Sequence, residues 1–354
     1  MSFLNKEIIG FQDKFFGLDL SDISLKAFYL DKKGEEYCVG GFVSSAIPEG
    51  YISDGTLIEK EKVASIIKAA IKKAVPRRIH AKGVVCSLPE SKVFLRKISM
   101  PKMDDSEISE AIKWEIEESI PLSADQVYYD WQIIDESDGK LNILTVAVAK
   151  ETVDDTVEVL EMAGLNVFGL EVESVATARS LIPRDAKNED IYFIADLGAK
   201  RTSFIITEGN VPYFTSSIPF SSEGMTDIIS KAMGVDDAEA ERMKISKGIG
   251  HAGEAGSLLP PLESYLENLS GEIEKTLDFY HSMTKSNIKI KKVILSGGGS
   301  NLRGLVPYMT KILGREVVLG DPWTNIDFGH SLPVINKEKS SEFSTAIGLA
   351  MRQK

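Results

Sequence analysis

Two short stretches place an aspartate before a tight turn: "GLDLSDISLK", residues 17–26, and "ADLGAKRTS", residues 195–203. Laid over one another without gaps, Asp196 falls under Asp19, Leu197 under Leu20 and Thr202 under Leu25. Each copy reads as an apolar strand, an aspartate, a small-residue turn and a second strand, so the chain is built from two similar halves. Facing each other across a cleft, two such hairpins could hold a polyphosphate. Their turn amides would contact its oxygens and their carboxylates a magnesium ion. Taken singly, either aspartate reads more readily as an Asx turn than as a ligand.

A third stretch, "KKVILSGGGSNLRGLVPYMTKILGREV", puts Gly297, Gly298 and Gly299 between a buried strand and a helix with Leu302, Leu305, Val306, Met309 and Ile312 on one face. Glycines there let a ligand approach free backbone amides, or simply make a tight turn. The spacing is not the dinucleotide fingerprint, whose third glycine is missing.

The elements that must position these residues read as a mixed α/β chain. Residues 15–43 form two strands broken at Asp31–Gly34, the apolar spacing from Leu57 to Val75 predicts a helix, and "GVVCSLP" a buried strand. Residues 90–149 form a separate unit: a strand "KVFLRKISMP", a helix opened by an Asp104/Glu107 capping box, then two strands joined at Ser137–Gly139. In that helix Ile108, Ile112, Ile116 and Ile120 make one stripe and acidic residues cover the rest.

At 354 residues and 43% apolar content the chain suits more than one subdomain, and its net charge of −12 argues against nucleic acid as a partner. Lys68, Lys72, Lys73, Arg77, Arg78 and Lys82 run against that balance, as a solvated helix face or as a site for an acidic partner or lipid headgroups. Cys38 and Cys86 are too few for a disulfide framework, and neither a signal peptide nor an apolar run of ~20 residues is visible, which predicts a cytoplasmic protein.

In their order and spacing the three stretches resemble the phosphate 1, phosphate 2 and adenosine motifs of the actin, Hsp70 and sugar-kinase superfamily. Within it, nearly the whole chain is similar to the PilM family of actin-like type IV pilus assembly proteins, relatives of FtsA. The stretch "LRKISMPKMDDSEISEAIKWEIEESIPLSADQVYYDWQII" resembles the subdomain 1C of that family. The resemblance implies an α/β, actin-like (ribonuclease H-like), duplicated two-lobed fold with a 1C insert. Its subdomains would be 1A at 12–90, 162–186 and 330–354; 1C at 91–161; 2A at 187–225 and 286–329; and 2B at 226–285.

It also implies ATP and Mg2+ as cofactors. Asp19 would hold the metal through water, with Ser21, Asp22 and Ser24 lining the first phosphate turn and Lys26 beyond it. Asp196, Gly198 and Thr202 would form the second turn, Glu173 would orient the attacking water, and Glu241 and Lys244 would meet the ribose. Gly297, Gly298 and Gly299 would lie against adenine and ribose, and Ala346 and Gly348 would permit close helix packing at a hinge. Ser21 replaces the glycine of the family's Asp-x-Gly, at a cost on the order of 1 kcal/mol if the turn needs a left-handed residue. ATP binding with weak or absent hydrolysis is therefore expected.

The implied partner is the N-terminal cytoplasmic peptide of a PilN-like membrane protein, with other pilus assembly components. That would place the chain at the inner face of the cytoplasmic membrane through its partners. Self-association is left open. The alternatives are an FtsA-like filament, although the usual amphipathic tether does not follow Met351–Lys354, and a small-molecule kinase of the same superfamily. No role is assigned to residues 1–14.

Overall fold

The computed structural model describes residues 14–33, 36–120, 122–137, 139–250, 257–284, 289–329 and 334–352. The chain begins β1 (Phe15–Leu20), β2 (Ser24–Lys33), β3 (Glu36–Ala46), β4 (Ile52–Ser53), β5 (Thr56–Leu57), α1 (Lys60–Lys72), β6 (Val75–Pro76) and β7 (Gly83–Leu88). It continues with β8 (Val93–Pro101), α2 (Asp105–Ser119), β9 (Val127–Ser137), β10 (Lys140–Ala149), α3 (Lys150–Met162), β11 (Asn166–Val172) and α4 (Glu173–Leu181). The second half comprises β12 (Ile191–Leu197), β13 (Thr202–Glu208), β14 (Val211–Ile218), α5 (Ser222–Met233), α6 (Asp237–Lys247) and α7 (Leu259–Thr284). It closes with β15 (Ile290–Ser296), α8 (Leu305–Leu313), β16 (Val317–Leu319), α9 (Lys337–Ser340) and α10 (Ser344–Ala350). Predicted turn residues Gly34 and Asp138, and residues 1–13, lie outside the described residues.

The duplication read from the aspartate hairpins is a duplication of sheets. One sheet runs β11-β7-β1-β2-β3-β6 and the other β14-β13-β12-β15-β16, so β1, β2, β3, β7 and β11 correspond to β12, β13, β14, β15 and β16. In each, the strand carrying the aspartate pairs antiparallel with its hairpin partner and parallel with the strand on its other side.

Side-chain alternation along these strands feeds two faces. In the first sheet Phe16, Leu18 and Ala27 face Val63 and Ile67 of α1 and Val159 and Leu160 of α3, while Phe28 faces Phe343, Ala346 and Ile347. Helix α3 falls inside the 91–161 span expected for the insert, yet its apolar face belongs to this first core. In the second sheet Phe193, Ala195 and Phe204 meet α5, α7 and α8, and Tyr192, Ile194 and Ile205 meet α4.

The insert proper is the β8-β10-β9 sheet with α2. The predicted capping box forms at Asp104 and Glu107. Ile108, Ile112, Ile116 and Ile120 pack on Ile98, Leu141 and Ile143, so the stripe is spent on its own sheet rather than offered to a partner.

Helix α4 joins the halves. Ala176 packs with Val85 of the first sheet and Leu349 of α10, whereas Ala178 and Leu181 pack on the second sheet. A Cβ at Gly348 of α10 would come within 1.8 Å of the Ala176 carbonyl oxygen, so the α4–α10 crossing needs glycine there. Thr177 and Thr345 share a buried hydrogen bond of 2.9 Å across it, and Arg179 donates to the Gly348 carbonyl at 2.9 Å.

Candidate functional site

The two aspartate corners share a turn and differ in how it is filled. The Ser21 N–H donates to the Ser24 carbonyl at 2.9 Å, and the Gly198 N–H donates to the Arg201 carbonyl at 3.0 Å. At the first corner the Ser21 hydroxyl donates to the same Ser24 carbonyl at 2.9 Å and lies 3.0 Å from the Ser24 hydroxyl. Ser21 keeps a negative φ: among the described residues, Asp54 is the non-glycine in the left-handed region. The expected cost of serine at this corner therefore does not arise. Asp22 accepts from the backbone N–H groups of Asp54 and Gly55, each at 2.9 Å, and so ties the β4–β5 turn to the corner.

Register decides the charge at each corner. Asp19 pairs across its hairpin with Lys26, and the Lys26 ammonium lies 3.8 Å from its carboxylate. Ser87, at the end of β7, donates from its hydroxyl to Asp19 at 3.2 Å. The equivalent neighbour of Asp196 is Ser203. No ion pair reaches Asp196 among the described residues, and burial, reinforced by the Asp19 charge, pushes its carboxyl up to about 6 against the pull of the Ser296 hydroxyl and Lys26.

Between the corners lies a cleft of about 310 Å³. Asp19, Ser21, Asp22, Ser24, Lys26, Glu173, Asp196, Gly198, Gly297 and Gly298 all line it. Gly297, at φ 77°, passes so close to the second corner that a Cβ would lie 2.7 Å from the Leu197 carbonyl oxygen and 2.8 Å from Asp196 Oδ1. A Cβ at Gly298 would meet nothing nearer than Glu342 Cγ at 3.9 Å, so the backbone there is open. The helix expected directly after these glycines is displaced. A short 3₁₀ turn, Gly298–Asn301, follows first, and α8 starts only after Gly304, with Leu302 buried in the link.

Four predicted residues stand back from the cleft. Thr202 is fully buried and donates to the Phe220 carbonyl at 2.9 Å. Gly299 is buried against Leu197. Lys244 donates to the Ser222 hydroxyl and to Thr226, both at 2.8 Å, and pairs with Glu241 at 2.7 Å. Because Ser222 lines the cleft, Lys244 and Glu241 brace its wall rather than form it.

Three acidic wall residues escaped the sequence reading: Asp54 in the β4–β5 turn, Glu90 and Glu342. Glu90 follows Pro89 just beyond β7, and both its carboxylate oxygens are buried without a hydrogen-bond partner. Burial, the largest influence on its carboxyl, holds it above the usual range. Its N–H approaches Glu173 Oε2 at 3.5 Å. Burial, with the charges of Asp19, Glu90 and Asp196, raises the Glu173 carboxyl well above the usual range. Glu342, in the lead-in to α10, accepts from Asn301 at 3.3 Å on the glycine side. The run Ser87-Leu88-Pro89-Glu90, a buried polar residue ending a strand before an acid, was the available signal for this wall.

The family description "Type IV pilus assembly protein PilM" matches residues 17–354. The chain belongs to the PilM family. Over 96% of this PilM-family chain and 98% of the other, it superposes on a solved PilM-PilN type IV pilus biogenesis complex with a TM-score of 0.80 at 26% identity. MreB5 of Spiroplasma citri bound to AMPPNP, at 12% identity and a TM-score of 0.53 over 96% of this chain and 95% of that one, shows the shared actin-like fold. The cell division protein FtsA of Borreliella burgdorferi is 24% identical over 233 residues, which span 60% of this chain and 54% of that protein. The fold is therefore the actin-like α/β fold that the motifs implied, and the chain is a type IV pilus assembly protein of the PilM class.

Proposed function

We propose that the cleft binds ATP with Mg2+ and that occupancy sets the angle between the two sheets, which governs assembly with a membrane partner. One observation carries this reading: two aspartate corners and an open glycine backbone converge on one cleft in which the acidic charge is left uncompensated. The residues fit the ligand. Gly297 and Gly198 keep backbone bare where a side chain would collide, and Asp196, which no ion pair reaches among the described residues, lines the cleft together with Asp19. Among the described residues no three acidic, histidine or cysteine side chains converge to hold a metal directly, so an ion would rest on phosphate oxygens and water with Asp19 and Asp196 behind them. When bound, Mg2+ would neutralise phosphate charge; the protein's part is to hold the phosphates and orient water. Glu173 lines the same cleft, its carboxyl held above the usual range by burial and by the charges of Asp19, Glu90 and Asp196, and is the residue that would orient an attacking water.

The PilM-PilN complex supports a PilN-like cytoplasmic peptide as partner, and through it a position at the inner face of the cytoplasmic membrane. Pull-down on PilN-like N-terminal peptides, with and without Mg·ATP, compares wild type with Asp19→Ala and Gly298→Asp. Both variants are expected to lose nucleotide retention and the nucleotide dependence of capture. Unchanged retention and capture in both variants would overturn the site.

A further inference from the structure

The cation run at residues 68–82 has no part in the cleft, and the fold places its end at the opposite end of the same sheet. Asp19 is the penultimate residue of the six-residue strand β1, so the strand's other end, four residues back at Phe15, is ~13 Å away. There, at the N-terminal ends of β1, β7 and β11, lies a second cavity of about 560 Å³ lined by Lys14, Arg77, Arg78, His80, Lys82 and Asp31, among others. Four cations face one carboxylate in a chain whose net charge is −12.

Their pairing is uneven. Asp31 holds Lys14 at 3.2 Å and Arg77 at 3.3 Å, which fixes two of the cations at the rim. The side chains of Arg78, His80 and Lys82 are exposed and make no hydrogen bond or ion pair among the described residues. Uncompensated cations of this kind attract anions, and arginine's planar fork suits phosphate oxygens. Three residues before Arg78 in the chain, Val75 on the edge strand β6 is 54% exposed, an apolar side chain that free phosphate or nucleic acid would leave in water. A set of unpaired cations with an exposed apolar side chain close by in the chain matches an anionic membrane surface, where charges meet headgroup phosphates and an apolar side chain enters the acyl boundary.

We infer that this pocket is a direct, reversible contact for the phosphate headgroups of an anionic bilayer, independent of the nucleotide cleft. Salt confines the attraction to within about a Debye length, and the chain's net charge of −12 opposes it, so the contact adds to another anchor rather than replacing it.

Co-sedimentation of the full chain with phosphatidylcholine vesicles, with and without phosphatidylglycerol, tests it. Capture is expected only with the anionic vesicles and is expected to fall steeply with salt. One basic residue near such a surface is worth about fivefold, so Arg78→Glu/Lys82→Glu should cost on the order of 100-fold in partitioning. Val75→Ser should cost a few-fold. Thermal melting and nucleotide retention of both variants should match wild type; if the double reversal melts early, Arg78→Gln/Lys82→Gln takes its place. Equal capture by neutral vesicles, or capture that survives the reversal, overturns the inference. So does a pocket whose cations bind inorganic phosphate or an oligonucleotide while anionic vesicles stay unbound.

Discussion

The first aspartate corner is complete in itself, and the second is not. Asp19 has a cross-strand lysine, a serine hydroxyl and a turn in which Ser21 satisfies its own neighbours. Asp196 has the same turn but a serine where the lysine would be, and Gly297 presses against its carboxylate. One backbone device therefore appears twice, once with its charge balanced inside the protein and once with the balance left to a ligand. Duplication preserved the geometry while the hairpin partner strands diverged, and the difference in charge follows from one register position, Lys26 against Ser203.

The sharpest way to break this comparison is Gly297→Ala. Its Cβ has no room beside Asp196 and its φ of 77° disfavours a side chain, so nucleotide retention should fall ~100-fold or more, with a lower melting temperature. Wild-type retention in that variant would mean the second corner is not part of the site. Next comes Asp196→Asn. A carboxyl raised to about 6 in the fold, against about 3.9 in an unfolded chain, opposes folding at neutral pH by roughly 2–3 kcal/mol at most, less whatever the cleft water screens. Through this group ligand-free protein should thus lose stability as pH rises from about 4 to about 6, and the raised Glu90 and Glu173 carboxyls should add to the fall. Asp196→Asn should flatten that slope and raise the melting temperature at pH 7 while abolishing Mg·ATP retention; Asp19→Asn, which strips a paired charge, should not stabilise. Denaturant melts across pH decide between the corners, and a stabilised Asp19→Asn would erase the contrast.

Smaller effects probe the turns themselves. Gly198→Ala brings a Cβ to 2.6 Å from the Arg201 carbonyl oxygen and should cost ~1–3 kcal/mol, read from the same melts. Ser21→Gly should cost less than ~1 kcal/mol and change nucleotide affinity by no more than about threefold in calorimetric titration, because serine already fits its turn. A tenfold gain in affinity would show that serine had been a handicap after all.

The repeat, the insert helix with its capping box, the two aspartates and the glycines were legible from local pattern: an aspartate before a turn, an isoleucine every fourth place, glycines after a buried strand; Ser21, Asp22, Ser24, Lys26 and Glu173 were reached only through the family resemblance. What stayed hidden depends on where side chains point in three dimensions. Thr202 reads as a turn residue and faces the core. Lys244 carries a charge that suggests a ligand, yet its reach across to α5 makes it a brace. Glu90 gave no periodic signal at all, since its burial comes from α4 and β14 closing over it. Subdomain edges blur for the same reason: α3 follows the insert in sequence but spends its apolar face on the first sheet.

The crossing of α4 and α10 sets the mechanics of any opening. With the Gly348 backbone lying directly on Ala176, the two helices have no side-chain layer between them to shear, and the Thr177–Thr345 bond pins them against sliding. On the opening motion proposed above, the pair would act as one axle about which the lobes swing rather than translate past each other. A ligand pulling the two corners together by an ångström at the cleft would then be geared into a larger arc at the outer rims, including the insert.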